Sequence, residues 1–552
     1  MARSLTAGSL MAGSSKKCQA ASPPVNPNSA DAPLPAPQQF LLFALFFAGL
    51  MLLHAPLLRL PYFWDEAGYY VPAARDLYLT GTLVPQSTPS SLHPPLVMAW
   101  LALAWRVAGY STLVTHTAML AMAAFALLGL FRLARAVSNS RIAWATTLLV
   151  GVYPVFFMQS SLAQVDLPAA GFTFWALVAF LEDRPWKMVA WFSLATLSKE
   201  TAIVAPAALF AGQWIATEVA KRRTGAPSRW AIVPPPNRRT RLIHLLLPAF
   251  ALVAWFAYHY AKTGHVFGSP DFFRYNVTET LNPLRIPLAF VLRLWQVLGY
   301  FGLYLLTLAG VLAMFRPPQS DGGVPRQRIA EWKLAAFAAV LLAYLFFMSA
   351  VGGAELARYL LPVVPLVILA WVSTLWRRVR YWTFVVGAVA AAFVAGLFIN
   401  PPYGFSLEDN LAYRDYVVMH AQAASFLVLT NPNASVLTAW PASDELTRPW
   451  LGYTAQPFHV LRLEDFSAPQ IELASLARGR YDVALVFSTK YQPSHPLLEN
   501  WMAWQHLKER FFGYHHDLSP EEIAQRLGGK IIFQKKASGQ WAAVISFAKN
   551  EE

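Results

Sequence analysis

Eleven apolar stretches punctuate the first 400 residues, at 41–58, 113–131, 142–159, 168–181, 187–198, 202–218, 242–261, 294–315, 333–350, 359–376 and 381–399. Stretches of this kind read as helices that cross the hydrocarbon core of a bilayer. The two that flank Ser198-Lys199-Glu200-Thr201 read as a tight hairpin. A twelfth stretch, Pro94–Ala108, is only about 15 residues long and holds Arg106. Beyond residue 400 the pattern changes. Tyr481–Thr489 reads as a strand, Ser519-Pro520-Glu521-Glu522 as a capping box that opens a helix, and Ile531–Gln534 with Trp541–Phe547 as a hairpin around Ser538-Gly539. Residues 401–552 therefore predict a small soluble α/β domain. Residues 1–38, rich in Ala, Ser and Pro, lack the apolar core of a signal peptide and read as a disordered cytoplasmic tail.

Composition agrees with the pattern. A soluble chain of 552 residues would divide into three or four domains. Here 56% of residues are hydrophobic and 13% charged, with a mean hydropathy of +0.39. A soluble protein is about a quarter charged. The reading is a polytopic α-helical membrane protein of about 11 to 13 spans with a C-terminal extracytoplasmic α/β domain. The net charge of +14 points to basic loops against anionic lipid, not to nucleic acid. Cys18 is the sole cysteine, so an intramolecular disulfide and a cysteine-based metal cluster are excluded.

Charge also sets the orientation. If Pro94–Ala108 lies along the membrane without crossing and the N-terminus is cytoplasmic, the inner segments hold 22 Lys and Arg, against 9 in the outer loops. If it crossed, every later loop would invert. The positive-inside rule selects the non-crossing helix. Eleven spans then leave residues 401–552 outside, together with the loops at 59–112, around Asp166, at Lys199-Glu200, at 262–293 and around Glu355-Arg358. No nucleotide is available there, so a transferase in this place needs a lipid-linked donor.

Those loops carry the candidate chemistry. Asp65 and Glu66 follow the first span within Tyr62-Phe63-Trp64-Asp65-Glu66-Ala67-Gly68. Desolvation at that depth raises a carboxyl toward the range of a general base, although a solvated loop pair is the plain alternative. His93 stands at the entry of the non-crossing helix, as a phosphate contact or a capping residue. Asp166 is the lone charge in a long apolar run and also suits an N-cap. Lys199 and Glu200 lie between two apolar runs, and Arg358 with Tyr359 opens another, where a guanidinium grips phosphate or snorkels. His515-His516-Asp517 reads as a solvated loop before a metal site, and Asn276 and Asn433 begin sequons. No P-loop, dinucleotide fingerprint or zincin motif stands in the right context.

Taken together, this order of motifs resembles the GT-C-type glycosyltransferases over roughly 40–400, in particular the protein O-mannosyltransferases and the bacterial lipid A aminoarabinose transferases. The Asp-Glu pair is followed by the aromatic-rich stretch Ala67–Leu79 and then by Leu92-His93-Pro94-Pro95. Asp166-Leu167-Pro168, Ser198-Lys199-Glu200-Thr201 and Arg358-Tyr359-Leu360-Leu361-Pro362 are similar to that family's Asp-Pro, Thr-Lys-Glu and Arg-Tyr-Leu-Leu-Pro segments. The resemblance implies a sugar donated by a polyprenyl phosphate to a lipid, glycan or protein acceptor, with Asp65 as general base and Glu66 beside it. It implies substrate contacts from His93, Asp166, Lys199, Glu200, Arg358 and Tyr359. A divalent ion, where one is used, would fall to Asp65 and Asp166, with Glu66 shaping the pocket. The aminoarabinose transferases have Glu-Lys-Pro where this chain has Leu92-His93-Pro94.

A transporter or flippase of lipid-linked sugars is the alternative, but its ionisable residues would sit mid-span and its halves would repeat. A purely structural envelope protein leaves the carboxylates at 65, 66 and 166 without a role. By analogy, the terminal soluble domain suits a bacterial inner membrane, with the domain in the periplasm.

Overall fold

A computed structural model of the protein describes residues 34–222, 238–493 and 501–547. The expected N-terminal tail lies outside these residues up to residue 33. Each apolar stretch becomes a helix or a broken helix. They are α1 (Ala36–His54), α4 (Thr112–Val137), α5 (Ser140–Val152) with α6 (Pro154–Gln159), α7 (Asp166–Leu181), α8 (Pro185–Ser198) and α9 (Val204–Arg222). They continue as α10 (Arg238–Leu246) with α11 (Pro248–Thr263), α13 (Arg285–Leu298) with α14 (Leu303–Met314), α15 (Glu331–Ala350), α16 (Val364–Arg378) and α17 (Trp382–Phe398). Among the described residues, five segments are long and apolar enough to cross a membrane: α1, α4, Leu242–Thr263, Arg285–Met314 and α15. The protein is a multi-pass membrane protein.

The breaks have local causes. Tyr153 is extended ahead of Pro154, and Pro248 and Pro154 each stand at the first position of the helix they open. Between α13 and α14, Phe301 has φ +48° and Gly302 φ +87°, which ends one helix and re-aims the next. Helix α13 begins within the stretch 262–293 that reads as loop from hydropathy. Its buried face holds Arg285, Arg293 and Gln296, and averaging over that face lowers the apolar signal. The short α12 (Pro270–Phe273) precedes it.

The first loop folds into α2 (Val71–Thr80) and α3 (Leu96–Ala108). Thirteen residues of α3 span about 20 Å, too short for a bilayer core. Its Val97, Leu101 and Trp105 belong to the same apolar cluster as the C-terminal domain's core, and α3 also packs on α4, where Trp100 donates to the Ala118 carbonyl at 3.0 Å.

After a two-residue ladder between β1 (Ser320–Asp321) and β2 (Val324–Pro325), the remaining strands form one sheet. Its order is β4 (His459–Leu463), β3 (Ser435–Ala439), β5 (Val483–Phe487), β7 (Gln540–Ser546), β6 (Lys530–Ala537). The first three are parallel and the last two form an antiparallel hairpin. Helix α18 (Ala412–Thr430) joins the bundle to the sheet, and α19 (Ala442–Thr447), α20 (Ala468–Leu476), α21 (Met502–Phe512) and α22 (Pro520–Leu527) fill its connections. The Ser519–Glu522 capping box is present at the start of α22.

The apolar core divides unevenly. One part lies within the bundle, from Phe46 through Phe393. The other is continuous from Tyr62, Phe63 and Val71 of the first loop to Tyr416, Val436 and Phe487 of the C-terminal domain. The first loop is thus built into the C-terminal domain, although chain order assigns it to the membrane part.

Candidate active site

Asp65 is set by an unusual stretch of backbone. Trp64 has φ +44°, rare for a residue with a side chain, and a π-helical turn over Glu66–Tyr70 leads directly into α2. Glu66 holds this turn from behind. It is fully buried and accepts from the Phe63 amide at 3.0 Å and the Ala163 amide at 2.5 Å, with His116 3.5 Å away. The sequence pairs Asp65 and Glu66 as neighbours in one pocket. The structure separates them: Asp65 lines a cavity of about 2360 Å³, and Glu66 faces the other way and ties residue 63 to residue 163.

Arg358, buried on the short 3₁₀ turn Ala357–Leu360, is the hub of the cavity floor. Its guanidinium bonds Asp65 and Glu408 and lies 3.2 Å from Asp166. Lys199 donates to Asp166 at 2.5 Å, and its ammonium lies 3.8 Å from the centre of the Tyr359 ring. Gln164 donates to Glu408 at 2.9 Å. His93 meets Glu200 at 2.8 Å beside Tyr70. Chain segments near residues 65, 93, 166, 200 and 358 therefore converge. Asp65, His93, Lys199, Glu200, Arg358 and Tyr359 all line the cavity, and Asp166 lies behind them as a counter-charge.

Two sets of residues escape the sequence reading. Glu408 and Asp409 lie on the short turn Leu407–Asp409 between α17 and α18, and both are buried at the cavity. Burial raises the Glu408 carboxyl, against the pull of Arg358. Burial and then the adjacent Glu408 push Asp409 up to about 8, and Tyr300 donates to it at 2.7 Å. The available signal was an acidic pair just past a span, the same pattern as Asp65-Glu66. The other set is Arg285 and Arg293, both 2.7 Å from Glu355. Burial raises the Glu355 carboxyl in spite of both cations. Arg293 also faces the Tyr359 ring at 5.6 Å, which links the two clusters.

Charge explains how so many ions stay buried. Arg358 and Lys199 stand against Asp65, Asp166 and Glu408, one negative charge in excess. Arg285 and Arg293 stand against Glu355, one positive in excess. The two together balance, as buried ions require. Glu200, raised by burial, is lowered overall by His93. As for a divalent ion, the interval between Asp65 and Asp166 holds the Arg358 guanidinium. No group of three or more His, Cys, Asp or Glu among the described residues is arranged as a ligand set.

The wall formed by the bundle helices is apolar. Leu252 and Phe256 of α11, Leu288 and Leu292 of α13, and Phe347 and Met348 of α15 face it. One wall thus suits an apolar chain, and the floor supplies two cations and a partly exposed carboxylate.

Comparison with known proteins gives one family match and several structural likenesses. No curated protein matches the sequence. In structure the chain is similar to ArnT from Cupriavidus metallidurans bound to undecaprenyl phosphate, at 14% identity and a TM-score of 0.49, over 92% of this chain and 98% of that one. It is also similar to the Archaeoglobus fulgidus oligosaccharyltransferase in the apo form, at 13% identity and a TM-score of 0.42, over 81% and 69%. Residues 92–233, from the end of the first loop through the Lys199-Glu200 turn and beyond, match the family model described as dolichyl-phosphate-mannose-protein mannosyltransferase.

Proposed function

We propose that the protein is an integral-membrane glycosyltransferase that moves a sugar from a polyprenyl-phosphate donor to an acceptor at the outer face of a bacterial inner membrane. The observation that carries this reading is the pairing of Asp65 with Arg358 on the cavity floor, within a chain whose residues 92–233 match a mannosyltransferase family model. In this reading residues 401–547 face the periplasm, and the apolar wall of α11, α13 and α15 holds the isoprenoid tail.

The chemistry is one inverting displacement. Asp65 takes the proton from the acceptor hydroxyl or amine as that atom attacks the anomeric carbon. The bond from the anomeric carbon to the phosphate oxygen breaks, and its electron pair stays on the phosphate. Arg358 and Lys199 neutralise the charge that develops there. Arg358 already holds Asp65, so its turn toward the leaving phosphate frees that carboxylate at the moment it is needed. Glu66 fixes the backbone on which Asp65 stands, and His93 with Glu200 borders the same floor.

Asp65→Asn tests the assignment. Transfer should fall at least about 100-fold, the range of a lost general base, with polyprenyl-phosphate binding retained. In cells the variant should accumulate one polyprenyl-phosphate sugar, visible by lipid mass spectrometry. A variant with wild-type turnover and an unchanged lipid pool would remove Asp65 from the mechanism.

A further inference from the structure

The C-terminal domain contributes its own wall to the cavity, and its chemistry differs from that of the floor. Lys490, Trp504, Lys508, Tyr514, His515 and His516 line it. The ammoniums of Lys490 and Lys508 lie 4.7 and 3.9 Å from the centre of the same Tyr514 ring. The Tyr514 and His516 rings meet edge-on at 5.0 Å, and Lys490 donates to the His515 carbonyl at 3.1 Å. The carboxylates of this region stand back from the cavity. Asp517 is committed to the amide and hydroxyl of Thr489, at 3.0 and 2.5 Å, and Asp465 faces His515 at 3.6 Å. Among the described residues from 440 onward, those that line the cavity include two lysines, two histidines and no Asp or Glu.

The two sides of the cavity therefore differ in charge. On the membrane side the carboxylates Asp65, Glu200, Glu355 and Glu408 are paired with Arg358, His93, Arg285 and Arg293, and the domain side carries cations set among aromatic rings. Two ammoniums beside one ring repel each other, and an anion between them removes that repulsion. Burial already holds the Lys490 ammonium below the ordinary lysine value, and an anion would restore it. Flat rings beside point charges suit a ligand with an apolar ring face and a charged substituent.

We propose that this wall is the acceptor subsite and that it takes a saccharide bearing an anionic group, a phosphate or a carboxylate. This rests on the transferase reading for the word acceptor, not for the binding itself. A lipid headgroup and a soluble acidic glycan share this chemistry.

The test uses the full chain in nanodiscs. The probes are glucose 1-phosphate, trigalacturonate, neutral maltotriose, and a glucose phosphate carried on an alkyl chain within the disc. The anionic sugars should bind at least tenfold tighter than maltotriose. Lys490→Gln with Lys508→Gln should lose at least tenfold for the anionic sugars only, and Lys490→Arg with Lys508→Arg should retain their affinity. Tighter binding of the alkyl-linked sugar phosphate supports a glycolipid acceptor, and equal binding supports a soluble one. Equal affinity for neutral and anionic sugars, or a glutamine pair that binds as wild type, overturns the proposal. Polyprenyl-phosphate binding, measured with Arg358→Gln as control, reports separately on the donor site. If wild type fails to bind polyprenyl phosphate yet binds anionic sugars through the two lysines, the transferase reading falls and the subsite stands.

Discussion

At Trp64 the backbone takes a left-handed conformation that costs a residue with a side chain about 1–3 kcal/mol. It sits directly before the proposed base, where packing from both sides holds it. Trp64 meets Tyr416 at 5.7 Å and Trp440 at 5.1 Å, both from the C-terminal domain. Strain that surrounding contacts over-determine is a common property of reactive positions. Asp65 and Arg358 were legible in the sequence because a charge beside an apolar span needs a reason. Glu408, Asp409, Arg285 and Arg293 were not, because a buried charge in a loop or on an inward helix face has the same sequence signature as a solvated one. Asp409 gives a prediction at this scale. Its carboxyl is pushed up to about 8 from an ordinary 3.8. Its contribution to stability is complete below about pH 4. Between pH 4 and 8 the unfolded chain releases a proton that the folded chain keeps, so stability falls as pH rises. Unfolding midpoints across that window should decline in wild type and lose this slope in Asp409→Asn.

At the scale of elements, the apolar stretches became helices because a bilayer core selects for length and hydropathy, and both are written in sequence. What hydropathy could not show was where a helix turns a polar face inward, and α13 began earlier than its apolar stretch for that reason. The hairpin β6–β7 and the cap of α22 were legible from local chemistry alone. The docking of the Glu66–Tyr70 turn on the domain was not, since it depends on close approach. A Cβ at Gly68 would lie 2.7 Å from the Trp440 ring, which also meets Trp64 and Tyr69. Gly68→Ala should therefore destabilise by about 1–3 kcal/mol, the range for overpacking. Thermal unfolding reads the loss, and transfer should slow with it because the same turn carries Asp65. An unchanged midpoint would mean that Trp440 moves freely.

For the whole molecule, the site loops gather at the bundle end that carries the C-terminal domain, joined there by Asn400 to Ser538 and Tyr110 to Trp450. Arg132 pairs with Glu182, and Arg326 bonds the Trp376 carbonyl, among the helix ends away from the site. With the charge count, this predicts a periplasmic C-terminus. Alkaline phosphatase fused after residue 547 should be active, and a fluorescent protein that folds only in the cytoplasm should stay dark. The reverse would invert the proposed topology.

The seam between loop and domain also bears on how the protein is made. Tyr453 donates to the Tyr62 carbonyl across 391 residues of chain, and the Tyr62 amide donates to the Leu451 carbonyl. The turn that presents Asp65 is thus among the first parts to leave the ribosome and among the last to find its partners. At ordinary synthesis rates the interval is on the order of tens of seconds. Over that interval the cavity-lining helices α11, α13 and α15 are still being made, and in the proposed mechanism Asp65 gains its fixed turn only when the last quarter of the chain arrives.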